Sequence, residues 1–334
     1  MFRRVTVVVA LAGVCLAPAA CGGGAGEQGS EEGPVEVVAT YSILGDMVEN
    51  VGGEEVELTT LVGADSDAHT FEPAPSDNAK LAEAAVVFEN GLEFESWLDE
   101  LYESSGSEAE RVAVTEGIES LAAPEEEHGE DEHAGEEDHE GEEPADEEGH
   151  EGEEEHGEAD PHTWHDVSRA MVMVETVRGA LVEADPDNAE AYRANTKKYL
   201  SELQELDAEV MERTKSVPKE NRVLFTSHDT FGYFAERYGF EVDTALASVS
   251  TEASDPSAGE TAALIREIED SGVPAIFAEN VSNSDSMRRV ASEAGVDLAP
   301  TLYTDALGKP DSEGGTYVKM MRHNASTVAD ALSG

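Results

Sequence analysis

Cysteine and basic residues are both scarce in this chain of 334 residues. Its 20 Lys and Arg are set against 75 Asp and Glu, which gives a formal net charge of −55 at pH 7. Such a surface repels phosphate backbones and attracts cations, so the composition argues against a nucleic-acid-binding protein and favours cationic partners. With only two cysteines, Cys15 and Cys21, a disulfide framework and a thiolate-rich zinc site are both excluded.

Apolar runs of the roughly 20 residues that a transmembrane helix needs are also missing. A shorter run lies at the amino terminus, where Arg3 and Arg4 precede apolar residues 7–17 and small residues follow. This order is typical of an export signal. It predicts a signal peptide over residues 1–20 and an extracytoplasmic mature protein.

Cys21 follows Ala19 and Ala20 and precedes three glycines. The segment resembles the processing site of bacterial lipoproteins, in which the cysteine becomes the first mature residue and carries lipid. The resemblance implies a bacterial protein that is held at the cell membrane by a lipid on Cys21, with residues 21–34 as a flexible tether. The alternative is a plain secretory signal with an incidental cysteine.

Short β-rich runs alternate with helical stretches in both halves of the chain. The predicted strands are 35–41, 56–62, 86–89, 111–114, 222–226, 242–247, 275–279 and 298–303. The predicted helices between and after them are 43–51, 76–84, 230–238, 258–271, 284–294 and 317–332. Because parallel strands need crossover connections, the pattern predicts an α/β fold of two lobes, 35–186 and 216–334, each with a four-stranded, mostly parallel sheet and flanking helices.

Residues 187–215 carry apolar side chains at helical spacing. Asp185 and Pro186 provide a helix-start signal, and no Gly or Pro follows before Pro218. A helix of this length spans about 40 Å and can join the two lobes as a rigid strut. The alternative is a surface helix that belongs to one lobe.

The segment 124–159 differs from the rest of the chain. It has 20 acidic residues, five histidines and no Lys or Arg. Because it contains no aliphatic residue larger than Ala, it cannot bury enough surface to become ordered, which predicts a disordered loop within the first lobe. Its histidines are candidate auxiliary metal ligands: His128, His133, His139, His150 and His156. The alternative is a solvated spacer.

Four other polar residues lie where a predicted strand or loop gives way to a helix or turn: His69, His162, His228 and Asp305. Ligands of open parallel sheets bind outside the carboxyl ends of the strands, so two facing lobes can bring these side chains together. Three imidazoles and one carboxylate suit a tetrahedral zinc ion, with manganese as a weaker fit. The sequence distances between them form no compact motif, and ordinary structural histidines are the alternative.

Several segments resemble the signatures of the metal-binding lipoprotein receptors of ABC transporters, the zinc-uptake receptor type (cluster A-I). These segments are 69–77, 160–164, 227–234, 250–259, 304–308 and 316–324. The resemblance extends from about residue 35 to the end of the chain and implies two α/β lobes joined by one long helix over 187–215. It also implies an ion between the lobes, held by His69 and His162 from the first lobe and by His228 and Asp305 from the second.

By this resemblance the chain is an extracytoplasmic solute-binding protein, not an enzyme. It is expected to act as a monomer that delivers a divalent metal to an ABC permease and its ATPase. Zinc is favoured over manganese because manganese-type relatives tend to have a glutamate in place of His228, and because imidazoles bind zinc more tightly. Two alternatives stay open: a manganese receptor of the same family, and a cell-surface metal buffer or adhesin without a transport role.

Neighbouring polar groups are expected to support these ligands. Glu72, Asp229 and Glu279 are candidates to orient the imidazoles, with capping and loop hydrogen bonds as the alternative. His165 is expected next to the ligands or at the surface, and His323 is expected to be structural. The chain also lacks the motifs His-Glu-x-x-His, Gly-x-Ser-x-Gly and Gly-Lys-Ser/Thr, which argues against the corresponding enzymes.

Overall fold

The structure is a computed structural model that describes residues 33–122, 159–243, 258–282 and 284–333. Its strands are β1 (Val35–Tyr41), β2 (Val56–Val62), β3 (Val86–Glu89), β4 (Glu110–Ala113), β5 (Val223–Phe225), β6 (Glu241–Asp243), β7 (Ala275–Ile276) and β8 (Asp297–Leu298). Its helices are α1 (Ser42–Gly52), α2 (Pro75–Glu83), α3 (Leu98–Ser105), α4 (Val167–Ala184), α5 (Ala189–Thr214), α6 (Gly232–Tyr238), α7 (Ala258–Ser271), α8 (Ser284–Ala294) and α9 (Tyr317–Leu332). None of these helices is long and apolar enough to span a membrane.

The first half forms a parallel sheet in the order β2-β1-β3-β4. Its central strand, β1, is buried from Val37 to Tyr41, as expected for a parallel strand that is covered on both faces. The four strands predicted here are confirmed to within one residue. The short helix α3 was not predicted; it ends at Gly106, which has a φ of 66°.

The second half has shorter strands of two or three residues. The described strands of this half form two parallel pairs, β5-β6 and β7-β8. An isolated parallel bridge between Thr226 and Phe277 links the two pairs. The last predicted strand is interrupted because Pro300 has no N–H to donate. Pairing resumes at Leu302, which forms a parallel bridge with Glu279.

The predicted long helix is confirmed as α5, which has 26 residues and follows a 3₁₀ turn at Pro186–Asn188. Its buried face includes Tyr199, Leu203 and Val210. It packs against α1 and α4 of the first half and against α9 of the second half.

One large hydrophobic core extends through both halves. It contains Val37 of β1, Trp164, Leu203 of α5, Phe234 of α6 and Met321 of α9. A smaller cluster lies between β5, β7, α7 and α8. The two halves are therefore joined by shared apolar packing as well as by the chain.

Some predicted features lie outside the described residues: the signal peptide 1–20, Cys21, and the histidines at 128, 133, 139, 150 and 156. Of the predicted tether 21–34, only Gly33 and Pro34 are described. Of the predicted acidic loop 124–159, only Ala159 is described, and it forms an isolated antiparallel bridge with Ala122.

The shared core predicts cooperative unfolding. Leu203 is fully buried on α5, and Leu203→Ala is expected to lower the free energy of unfolding by about 2–5 kcal/mol. The exposed neighbour Gln204 is the control, and Gln204→Ala should change the free energy of unfolding by no more than about 0.5 kcal/mol. Denaturant unfolding followed by circular dichroism should show one transition; two separated transitions would contradict a core common to both halves.

Candidate metal centre

The four predicted ligands lie in loops at the ends of strands or just before a helix. His69 is in the connection from β2 to α2, and His162 precedes a 3₁₀ turn and α4. Asp166 caps α4, because its carboxylate accepts the Ser168 N–H at 2.8 Å. His228 follows β5, and Asp305 follows the bridged residues after β8.

The structure brings these four side chains together. The Nε2 atoms of His69 and His162 are 3.3 Å apart, and His162 Nε2 is 3.5 Å from Asp305 Oδ1. His228 Nδ1 is 3.3 Å from Asp305 Oδ2, and the candidate donor nitrogens of the three histidines lie within 4.8 Å of one another. Donors at 2.0–2.1 Å from a tetrahedral zinc ion are about 3.3–3.4 Å apart. The three contacts of 3.3 to 3.5 Å are close to this value, and the three histidine donors are close enough together to hold one metal ion.

Asp305 is a fully buried carboxylate. Neither of its oxygens has a hydrogen-bond partner of good geometry among the described residues. Burial alone raises the pKa of a carboxyl group, but the neighbouring His228, with His162 and His69 farther on, holds the pKa of Asp305 well below its usual range. A buried carboxylate in this state needs a positive charge close by.

Two of the imidazoles differ sharply in pKa. Burial lowers the pKa of His69 to about 4. Burial also acts to lower the pKa of His228, but the carboxylate of Asp305 outweighs it and raises this pKa to about 9. In the metal-free protein a proton on His228 therefore provides the positive charge next to Asp305.

Asp160 orients His162. Its Oδ1 lies 2.7 Å from His162 Nδ1 and accepts the backbone N–H of the same residue at 2.9 Å. With Nδ1 as the donor, the lone pair of Nε2 is directed toward His69 and Asp305. This role of Asp160 was not predicted, although an acidic residue two positions before a candidate ligand is a usable signal.

Glu279 supports His228 through a hydrogen bond to the loop backbone, which was the alternative to orienting the imidazole. Its Oε1 accepts the His228 N–H at 2.8 Å and the Ser227 hydroxyl at 3.1 Å, and burial raises its pKa to about 7. Among the described residues, no hydrogen bond joins Glu72 or Asp229 to the three imidazoles.

His165 lies beside the site but outside the donor cluster. It is fully buried, which rules out the surface position considered above, and its ring centroid is 4.7 Å from that of Phe231. Neither ring nitrogen has a partner in the described part of the chain, and burial lowers its pKa to about 3. His323 has the expected structural role, with Nε2 at 2.9 Å from the Thr301 carbonyl oxygen.

Phe94 packs against His69, and this contact was not predicted from the sequence. Its ring centroid is 4.5 Å from that of His69. Phe94 follows Leu92 and Glu93, whose φ angles of 54° and 59° lie in the left-handed region. The buried Glu95 holds this turn, because its Oε1 accepts the Asn90 N–H at 2.8 Å.

Metal binding by this cluster is expected to release a proton from His228. Its pKa of about 9 lies above the usual value, so the proton competes with the metal below pH 9 and not above it. The apparent zinc affinity should fall by about tenfold per pH unit as the pH drops below 9. Calorimetry in two buffers of different ionisation enthalpy measures the released proton, and an affinity that does not change between pH 7 and 9 would contradict the prediction.

The sequence matches the protein family described as zinc-uptake complex component A, periplasmic, over residues 37–331. It is 35% identical over 334 residues to the manganese-binding lipoprotein MntA of Halalkalibacterium halodurans, which covers 99% of this chain and 98% of that protein. It is 30% identical to the manganese-binding lipoprotein MntA of Bacillus subtilis over 308 residues, or 91% of each protein.

Solved structures give the same result. The periplasmic zinc-binding protein TroA of Treponema pallidum has a TM-score of 0.74 and 29% identity, with 90% of this chain and 99% of that chain covered. The Mn-bound periplasmic metal-binding protein of Candidatus Liberibacter asiaticus has a TM-score of 0.71 and 25% identity, with 89% and 98% covered. The resemblance seen in the sequence is confirmed: the chain belongs to the zinc-uptake complex component A family, the substrate-binding components of ABC metal transporters.

Proposed function

We propose that this protein captures one zinc ion outside the cell and delivers it to an ABC permease and its ATPase. His69, His162, His228 and Asp305 are its ligands. The observation that carries the proposal is the convergence of these four side chains: three contacts of 3.3 to 3.5 Å link them in a chain, and the three histidine donors lie within 4.8 Å of one another beside a fully buried carboxylate. A divalent cation at this point would neutralise that carboxylate.

A binding role without catalysis follows from the same donor set. Hydrolytic zinc sites keep one position open for water, with three protein ligands. Here four side chains supply donors, so the ion would be enclosed by protein. We therefore assign the site to capture and release of the ion and not to chemistry on a substrate.

Zinc is the first choice because three of the four ligands are imidazoles. Manganese is the second candidate, and one feature of the site favours it. Both oxygens of Asp305 face imidazole nitrogens, at 3.3 and 3.5 Å, so the carboxylate can offer two donors and raise the donor number to five. Relatives at 35% and 30% identity are named manganese-binding lipoproteins.

The first 21 residues and the names of the relatives support an exported protein that is anchored to the cell membrane by lipid on Cys21. We further propose that residues 35–186 and 216–334 are two lobes of a monomeric receptor, joined by α5. The shared core and the contacts of α5 with both halves support this organisation.

A transport receptor and a cell-surface metal buffer differ in where the metal binds. The receptor is expected to bind one zinc ion tightly, and this ion should remain after deletion of residues 124–158, which retains the Ala122–Ala159 bridge. Titration of both proteins with zinc and manganese, against a chelating indicator, measures the number of sites and the preference. Several weak sites that disappear with the deletion would instead support the buffer.

His228→Ala and His165→Ala are a matched pair, since each removes one imidazole from the same region. His228→Ala is expected to weaken zinc binding by more than about 100-fold, because it removes a ligand and not an outer partner. His165→Ala should weaken it by less than about tenfold, since His165 contacts aromatic rings and not the donor cluster. Competition with a chelator measures the zinc affinity of both folded variants. A larger loss of affinity in His165→Ala than in His228→Ala would overturn the ligand assignment.

A further inference from the structure

The chain has only two tryptophans, Trp97 and Trp164, and the proposed function gives neither of them a role. Both indole N–H groups donate to backbone carbonyls in the ligand loops. Trp97 Nε1 is 2.7 Å from the carbonyl oxygen of Ala68, the residue directly before His69. Trp164 Nε1 is 3.0 Å from the carbonyl oxygen of Thr304, the residue directly before Asp305.

Trp164 connects the two halves of the site. It is fully buried and lies two residues after His162, so its indole joins a ligand loop of the first half to the ligand loop at Thr304 in the second. Its own carbonyl accepts the hydroxyl of Tyr317 at 2.6 Å, and its ring centroid is 5.4 Å from that of His162. Both the backbone and the indole of Trp164 are therefore held by neighbouring groups.

Trp97 acts within the first half. It directly precedes α3, and its ring centroid is 4.8 Å from that of Phe71, two residues after His69. Its indole thus contacts the ligand loop on both sides of His69, through the Ala68 carbonyl and through the Phe71 ring.

These contacts complete a pattern around the site. The backbone N–H of His162 donates to Asp160, and that of His228 donates to Glu279. Loops beyond strand ends have no ladder partners for their peptide groups, so side chains must hold the peptides that position the ligands. At His69 and Asp305 the peptide carbonyl is held by a tryptophan.

We propose that Trp97 and Trp164 are positioning residues of the metal site, whose indole N–H groups hold the peptide carbonyls before His69 and Asp305 and thereby fix the spacing of the donor atoms. This proposal rests on the proposed function, because it assumes that His69, His162, His228 and Asp305 bind a metal ion. A site held to within about 0.5 Å is what separates a tight metal centre from a loose one.

The test replaces each tryptophan by phenylalanine, which keeps an aromatic ring and removes the N–H donor. Trp97→Phe and Trp164→Phe are each expected to weaken zinc binding by about tenfold and to speed zinc release to a similar extent. In the Co²⁺-loaded proteins, the visible absorption bands should change in position or intensity, since they report the geometry of the donors around the metal.

Tyr102→Phe is the matched control. It also removes an aromatic donor to a backbone carbonyl, the 2.5 Å bond to Ala109, but in a part of the first half that carries no ligand. Its zinc affinity and Co²⁺ spectrum should equal those of the wild type. Thermal unfolding of each metal-free variant separates a change in the site from a loss of the fold.

The outcomes are distinguishable. If the wild type binds no zinc or manganese tightly, the proposed function fails. If the wild type binds but both tryptophan variants keep its affinity, release rate and Co²⁺ spectrum, the positioning role is wrong. If Trp164→Phe does not fold, Trp97→Phe and incorporation of benzothienylalanine, which replaces only the indole N–H by sulfur, decide the question.

Discussion

The structure depends on the interaction between one carboxylate that is buried away from water and the imidazoles around it. Asp305 is fully buried, and the described residues offer its oxygens no well-aligned hydrogen bond. Removing such an ion from water costs several kcal/mol unless a counter-charge is close. A proton on His228, whose pKa is raised to about 9, supplies that charge. In the proposed function, a divalent ion bound by His69, His162, His228 and Asp305 would replace that proton.

The rest of the site holds the donors around this carboxylate. His162 is oriented by Asp160, the peptide of His228 is held by Glu279, and Phe94 packs against His69. All of these contacts lie in loops, where no strand or helix imposes the geometry. The precision of the site thus comes from side chains that bind the loop backbone, and the sheets supply only the position of the loop ends.

Much of the fold could be predicted from local pattern. The strands of the first half are four to seven residues long and bounded by turn signals, so their limits are clear in the sequence. In the second half Pro300 interrupts an apolar run, and the strand predicted over 298–303 is described as the two residues Asp297–Leu298. Residues 244–247 of the strand predicted over 242–247 lie outside the described residues. A run of apolar residues does not show where the partner strand ends, and this information is missing from any local pattern.

The site was predictable in a different way. Its ligands are separated by 93, 66 and 77 positions, and it was the family resemblance, not spacing, that selected them from among ordinary histidines. The Trp164 contact with Thr304 joins residues 140 positions apart, so no reading of either segment alone contains it. His165 shows what proximity in sequence leaves open: it lies three residues from His162 and beside the site, but it is buried in an aromatic cluster, and its sequence position did not distinguish this from a surface position.

The 26-residue helix that shares its core with both halves has a mechanical consequence. A wide swing of one half away from the other would expose Tyr199, Leu203 and their neighbours to water, at a cost of about 25 cal/mol for each Å² of apolar surface. The shared core therefore opposes a wide separation of the two halves, and only a movement that leaves Tyr199 and Leu203 covered avoids this cost.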